Sequence, residues 1–119
     1  MERKVKKEIR AVLKELGASM SSKGCNYIVE IVYEGVVDDR AIVSGSKIYN
    51  HYATVFGDTY SRTERALRTV RDTCISKSVN TQKFREVFGD LGVEGKITLY
   101  EFLESIRLYV LYETEAIEC

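Results

Sequence analysis

Four arginines recur every third residue along one stretch of the chain. Arg62, Arg65, Arg68 and Arg71 follow a short Gly-Asp-Thr segment at positions 57–59. An arginine side chain can donate two hydrogen bonds at once, either to O6 and N7 of guanine or to a phosphate group. The spacing places most of these side chains on one side of a helix, so the stretch predicts a basic helical surface that could bind a nucleic acid.

A helical wheel of this stretch separates an apolar side from a basic side. The residues expected to pack inward are Thr63, Leu67, Val70 and Cys74, with Ala66 at the edge. The residues expected to face outward are Arg62, Arg65, Arg68 and Thr69, with Arg71 to the side. The helix is therefore predicted to bury a narrow stripe and to present guanidinium groups to solvent.

Residues in the first turns of such a helix reach base edges when the helix enters the DNA major groove. We therefore predict Arg62, Glu64 and Arg65 as base-reading residues, because glutamate can accept a hydrogen bond from cytosine. Contacts with the DNA backbone are predicted for Ser46, Lys47, Arg68 and Arg71. The alternative is a solvated charged face, in which Ser61 and Glu64 form a capping box at the helix start.

The elements around this helix resemble a helix-turn-helix. A short helix carries Ile48, Tyr52 and Phe56 and ends at Gly57, so the motif is predicted at about residues 46–76.

Helical spacing recurs elsewhere in the chain. An amino-terminal helix is predicted to end at Gly17, another to begin at Asn80 or Thr81 and end at Gly89, and a last one to begin with the capping box Thr98 and Glu101. The segment 25–37 fits a strand and a helix equally well by pattern. We predict one all-α domain over residues 1–119, with about six helices and an acidic tail at 113–119.

Composition narrows the functional class. The chain has 18 Lys and Arg and 18 Asp and Glu, with a basic amino-terminal segment and an acidic carboxyl end. Its three cysteines fit a reducing cytoplasm, and we predict no membrane span and no cofactor. A lone histidine, His51, without a nucleophile and an acid beside it gives no catalytic pattern, so we predict that the chain is not an enzyme.

A calcium-binding loop is an alternative interpretation of one connecting segment. Residues 90–101 have part of the calcium-loop pattern of an EF-hand, with Asp90, Glu94 and Glu101 as candidate ligands, but Gly92 takes a position that needs a side-chain oxygen. The simpler interpretation is a connection that leads into a capped helix.

The last helix is apolar on more than one side. The residues left over after one side packs inward are Leu108, Leu111 and Tyr112. They predict either a homodimer through this helix or a fully buried terminal helix.

The segments "KGCNYIVEIV" at 23–32 and "SRTERALR" at 61–68 carry a family resemblance over about residues 9–112. The chain resembles the DNA-binding effector domain of the master response regulator of endospore formation, the stage 0 sporulation transcription factor family. The resemblance implies a six-helix fold without a wing, a helix at 25–37, and sequence-specific binding to promoter boxes. By position it implies that Arg62, Glu64 and Arg65 read bases and that Arg68 contacts the backbone.

The same resemblance implies a contact with the RNA polymerase sigma subunit. The residues that it places there are Ser78, Gln82, Arg85 and Glu86. The alternative function is a protein–protein interaction module of the same fold that does not bind DNA.

Overall fold

A computed structural model describes residues 2–38, 46–92 and 96–118. These residues form six α-helices and one short 3₁₀ helix, and no strand occurs among them. The α-helices are α1 (Glu2–Glu15), α2 (Lys23–Val37), α3 (Ser46–Phe56), α4 (Tyr60–Ser78), α5 (Gln82–Phe88) and α6 (Leu99–Glu118). The 3₁₀ helix spans Gly89–Gly92, directly after α5. The prediction of an all-α fold with about six helices is confirmed.

The first helix ends where the sequence predicts. Gly17 has a φ of +101°, a left-handed conformation that glycine adopts without steric cost. The Ala18 amide then donates to the Leu13 carbonyl at 2.9 Å, which satisfies one of the free carbonyls at the helix end. The inward side of α1 consists of Val5, Ile9, Val12 and Leu13.

The segment that fits both a strand and a helix by pattern is the central helix α2. It begins at the N-cap Ser22, whose side chain accepts a hydrogen bond from the Cys25 amide at 3.1 Å. This helix packs against α1, α4 and α6, so residues on several of its sides are buried. Burial on several sides explains its β-branched composition, because such residues are favoured by packing here rather than by helix propensity.

A glycine in the first turn of α2 allows a close approach to α4. A Cβ atom on Gly24 would lie 2.3 Å from the carbonyl oxygen of Ala66 and 2.8 Å from Cγ2 of Val70. Neither distance leaves room for a methyl group, so only glycine fits at this crossing. The two helices are therefore in backbone contact beside the stretch of basic residues.

The carboxyl-terminal part closes the core. Thr81 caps α5. Thr98 and Glu101 form the predicted capping box of α6. Thr98 N donates to Glu101 Oε1 at 2.9 Å, and Glu101 N donates to Thr98 Oγ1 at 3.1 Å. The rings of Phe88 and Phe102 stack with centroids 5.4 Å apart, which joins α5 to α6. Arg107 is buried on α6, where it binds Glu104 and donates to the Gly35 carbonyl at the end of α2.

None of the helices built from the described residues is long and apolar enough to cross a membrane.

Candidate nucleic-acid interface

The basic helix α4 begins at Thr59. Its side chain accepts a hydrogen bond from the Arg62 amide at 3.2 Å, so Thr59 is the N-cap. The alternative interpretation, in which Ser61 and Glu64 form a capping box, is wrong. Ser61 already lies inside the helix, and Glu64 pairs with Arg68 instead.

Packing fixes the rotation of α4 about its axis. Its buried residues are Thr63, Leu67, Val70, Cys74 and Ser78. The outward residues Arg62, Arg65, Arg68 and Thr69 are exposed, while Arg71 is half-buried. Because the inward stripe is fully buried, the helix cannot turn these arginines away from solvent without exposing its core contacts. The predicted sides of the helical wheel are confirmed.

The four arginines differ in their partners. Arg62 and Arg65 form no ion pair with any residue in the described part of the chain. Nη1 of Arg68 lies 3.0 Å from Oε1 of Glu64, and Nη2 of Arg71 lies 3.0 Å from Oδ1 of Asp72. The first two arginines of α4 therefore have no ion pair among the described residues, whereas the two that follow each pair with a carboxylate.

The turn between α3 and α4 is tied to α2 through Asp58. Its Oδ2 accepts from Nζ of Lys23 at 3.0 Å and from the Tyr27 hydroxyl at 2.8 Å, and its Oδ1 accepts from the Thr59 amide at 2.8 Å. These hydrogen bonds, that from Lys23 first, lower the pKa of Asp58 from 3.8 to about 2. A charged carboxylate thus holds the start of α4 against the core.

Aromatic contacts hold α3 in the same way. The rings of Phe56 and Tyr27 stack with centroids 4.0 Å apart, and the buried Tyr52 donates to Oε2 of Glu34 at 2.7 Å. Burial, reinforced by the hydrogen bond to Glu34, raises the pKa of the Tyr52 hydroxyl well above its usual range. The second half of α3 and the turn before α4 are therefore both attached to α2.

The remaining residues predicted to contact the DNA backbone lie at the start of α3. Ser46 is the first residue of that helix, and Lys47 follows it with an exposed side chain.

One residue predicted for the sigma contact does not reach the surface. Ser78 is buried, and its hydroxyl donates to the Cys74 carbonyl at 2.6 Å, so its side chain is not part of the exposed surface of the free domain. The other three, Gln82, Arg85 and Glu86, are exposed on α5. Gln82 Nε2 donates to Glu86 Oε1 at 3.1 Å.

The candidate calcium ligands are only partly described. Asp90 is exposed on the 3₁₀ helix, and Glu94 lies outside the described residues. One carboxylate oxygen of Glu101 already accepts from the Thr98 amide in the capping box. Within the described ranges, no three His, Cys, Asp or Glu side chains are grouped closely enough to hold a metal ion.

The described cysteines and His51 do not form a catalytic pair. His51 is exposed on α3, whereas Cys25 and Cys74 are both buried. Burial raises the pKa of Cys25 and raises that of Cys74 to about 12, so both thiols stay protonated at neutral pH.

The last helix leaves part of its apolar surface uncovered. Leu108 is 53% exposed and Tyr112 is 71% exposed, while Leu111 is half-buried. Together with Val87 and Glu86 of α5, Leu108 and Tyr112 line a shallow groove between α5 and α6.

Comparison with known proteins agrees with the resemblance drawn from the motifs. Residues 9–110 match the family model described as sporulation initiation factor Spo0A C terminal, which spans most of the chain and all of the helix-turn-helix. A search of curated proteins found no significant match. The family is the DNA-binding effector domain of a sporulation regulator, a transcription factor domain and not an enzyme. The chain therefore belongs to the Spo0A C-terminal domain family, and DNA-binding transcription regulation is its general function.

Proposed function

We propose that the chain recognises specific double-stranded promoter boxes by placing the amino-terminal half of α4 in the DNA major groove. The observation that carries the proposal is the state of Arg62 and Arg65. Both are exposed and without an ion pair among the described residues, on a helix whose opposite side is fully buried. Free guanidinium groups at the start of a rigidly held helix are the arrangement that reads guanine in helix-turn-helix proteins.

Within this proposal, Arg62, Glu64 and Arg65 read bases. Each lies within the first two turns of α4, where side chains reach furthest into the groove. Glu64 and Arg68 must first exchange their mutual ion pair for DNA contacts, whereas Arg62 and Arg65 have no ion-pair partner in the part of the chain that the structure describes.

The DNA backbone is then contacted by residues on either side of the base readers. Arg68 lies one turn further along α4, and Ser46 and Lys47 begin α3. Arg71 is expected to contribute least, because only 20% of its side chain is exposed and it is bound to Asp72. Such contacts set orientation and affinity rather than sequence preference.

A binding titration tests the proposal. A labelled duplex selected by the protein from a randomised pool is compared with a shuffled duplex, at several salt concentrations. The parent should prefer the selected duplex, and its affinity should fall steeply with salt. Arg65→Ala should lose about 1–3 kcal/mol on the selected duplex and relax the preference at one base pair.

The matched control is Arg85→Ala, which removes an exposed arginine from α5, outside the helix-turn-helix. It should bind both duplexes as the parent does. If selection enriches no sequence, the chain would instead be an interaction module of the same fold.

We also propose two protein contacts for the DNA-bound domain. The exposed residues Gln82, Arg85 and Glu86 of α5 face the RNA polymerase sigma subunit, and the uncovered side of α6 around Leu108 and Tyr112 pairs with a second copy. Exposed apolar side chains next to a groove favour a protein partner at the second surface. With promoter DNA and RNA polymerase as its proposed ligands, we expect the domain to act in the cytoplasm.

A further inference from the structure

A groove of about 540 Å³ runs along one side of α4. Its other wall is the connection from α1 to α2, which follows α4 in the opposite direction. Gly17 meets the side chain of Lys77 near the end of α4, and Gly24 meets the Ala66 carbonyl about three turns closer to its start. The groove therefore opens beside the same stretch of α4 that carries Arg62 and Arg65.

The charged side chains that line this groove are all basic, and hydroxyl groups lie beside them on an otherwise apolar surface. Lys23 faces Arg62 and Arg65 across it, and Thr69 and Thr73 continue the wall along α4. None of the described lining residues is acidic. Cations and hydroxyl groups are the side chains that contact phosphate oxygens in protein–DNA complexes, so the groove suits a DNA strand that leaves the base-reading end of α4.

Among the described lining residues, Lys23 is the one cation that comes from outside the helix-turn-helix, and its partner Asp58 has other hydrogen-bond donors. Its side chain is 52% exposed, whereas that of Asp58 is only 9% exposed. If Lys23 moves away, Asp58 still accepts hydrogen bonds from the Tyr27 hydroxyl and the Thr59 amide. The turn thus keeps two of the three hydrogen bonds to Asp58, and the bond that is lost comes from a lysine that is already half-exposed to water.

We propose that Lys23 is a DNA-backbone contact supplied by α2, which exchanges Asp58 for a phosphate group when the duplex binds. The inference rests on the proposed function, because it places the duplex on the Arg62 and Arg65 side of α4. It extends the interface to the connection that precedes α2, and it makes Asp58 the residue that holds Lys23 beside the groove in the free protein.

The experiment titrates selected and shuffled duplexes with the parent and with Lys23→Ala. Because a phosphate contact carries no sequence information, the variant should bind both duplexes more weakly by the same factor, about three- to tenfold. The slope of log affinity against log salt should become shallower by about one, as expected when one phosphate contact is lost. Lys23→Arg should retain both the affinity and the slope, since any cation can fill this role.

The matched control is Lys4→Ala, which removes an exposed lysine from α1, away from the groove lining. Equal affinity and equal slope for Lys23→Ala and the parent would overturn the inference, while an intact preference for the selected duplex would leave the proposed function standing. If the parent shows no preference for the selected duplex, the proposed function is wrong. The salt slope on shuffled DNA would still show whether Lys23 contacts a phosphate.

A second variant separates contact from positioning. Tyr27→Phe removes a different hydrogen bond to Asp58 and no positive charge, so the slope of log affinity against log salt should stay that of the parent. If Lys23 and Asp58 serve only to position the turn, both variants should weaken binding and reduce the preference for the selected duplex. That shared loss would overturn the inference.

Discussion

Glu64 and Arg68 lie one helical turn apart on α4 and are bound to each other, with 3.0 Å between Oε1 of Glu64 and Nη1 of Arg68. Two residues proposed to contact DNA are therefore partners in the free protein. Their side chains are 27% and 51% exposed. Pairs of this kind on a helix surface contribute about 0.3–0.5 kcal/mol, so DNA can replace the interaction at small cost.

Replacing Glu64 tests which partner matters. Glu64→Gln should change the free energy of unfolding by less than about 0.5 kcal/mol, because only the surface pair is lost. If Glu64 accepts from cytosine, the preference at one base pair should shift, since glutamine suits adenine better. Competition with duplexes that vary at each position measures this, with Glu86→Gln on α5 as the control. An unchanged preference at every position would mean that Glu64 only holds Arg68.

The close crossing of α2 and α4 should not tolerate a methyl group. Gly24→Ala would place a Cβ atom 2.3 Å from the Ala66 carbonyl oxygen, so the helices must separate. We expect a loss of about 1–3 kcal/mol in the free energy of unfolding, measured by urea denaturation.

Gly57→Asn is the control for Gly24, because Gly57 has a φ of +65° but open space around its Cβ position. Asparagine tolerates that conformation, and its cost should stay below about 1 kcal/mol. Equal losses for the two variants would show that the helix crossing is not as tight as the distances indicate.

A buried hydroxyl on the inner side of α4 should be replaceable with a gain. Thr63 is fully buried, and its Oγ1 has no hydrogen-bond partner among the described residues. Thr63→Val keeps the shape and removes the unpaired polar atom, so the free energy of unfolding should rise by about 1 kcal/mol. Thr69→Val, at an exposed position of the same helix, should change it by less than about 0.5 kcal/mol. A less stable Thr63→Val would mean that the hydroxyl makes a bond after all.

Acid should loosen the turn before α4. Hydrogen bonds, of which that from Lys23 has the largest effect, lower the pKa of Asp58 from 3.8 to about 2. The contribution of the Asp58 charge to stability is therefore complete above about pH 4. That contribution is lost as the pH falls towards 2, where the folded protein also takes up the proton. In urea denaturation, Asp58→Asn should be less stable than the parent at neutral pH, and the difference should shrink at low pH. Asp90→Asn is the control, and a gap for Asp58→Asn that does not vary with pH would contradict the assignment.

The uncovered side of α6 should support self-association. Leu108 and Tyr112 are 53% and 71% exposed, so two large apolar side chains on adjacent turns form an uncovered patch beside the groove. Sedimentation of the parent should depend on protein concentration, and Leu108→Lys should remove that dependence. Tyr100→Lys, at an exposed aromatic residue at the start of the same helix, should leave it unchanged. A parent that sediments as a monomer at every concentration would exclude this interface.

Much of the fold follows from local patterns in the sequence. The helix at α1, the stop at Gly17 and the capping box at Thr98 each depend on residues close together in the chain, and the structure has all three. The buried and exposed sides of α4 can also be predicted from the sequence, because the helical repeat fixes which residues share a side. The segment that became α2 was ambiguous, since its burial on several sides depends on partners far away in sequence.

The details that position the candidate site were beyond those patterns. Asp58 is 35 residues from Lys23 and 31 from Tyr27, so no local spacing could show that the three side chains meet. The alternative capping box shows the same limit: Ser61 and Glu64 have the right spacing, but the N-cap is Thr59 and Glu64 pairs with Arg68. Where two local arrangements compete, tertiary contacts decide between them.

The three proposed base readers lie within four consecutive positions of α4, and the residue between the first two, Thr63, points into the core. Three side chains this close together on one helix can specify only about three base pairs by direct contact. Such a triplet recurs by chance about once in every 64 base pairs, so a chromosome offers an enormous excess of competing triplets. Selectivity on a genome would then come from how boxes are clustered and spaced, and promoters with several boxes would fill at protein concentrations that leave isolated ones empty.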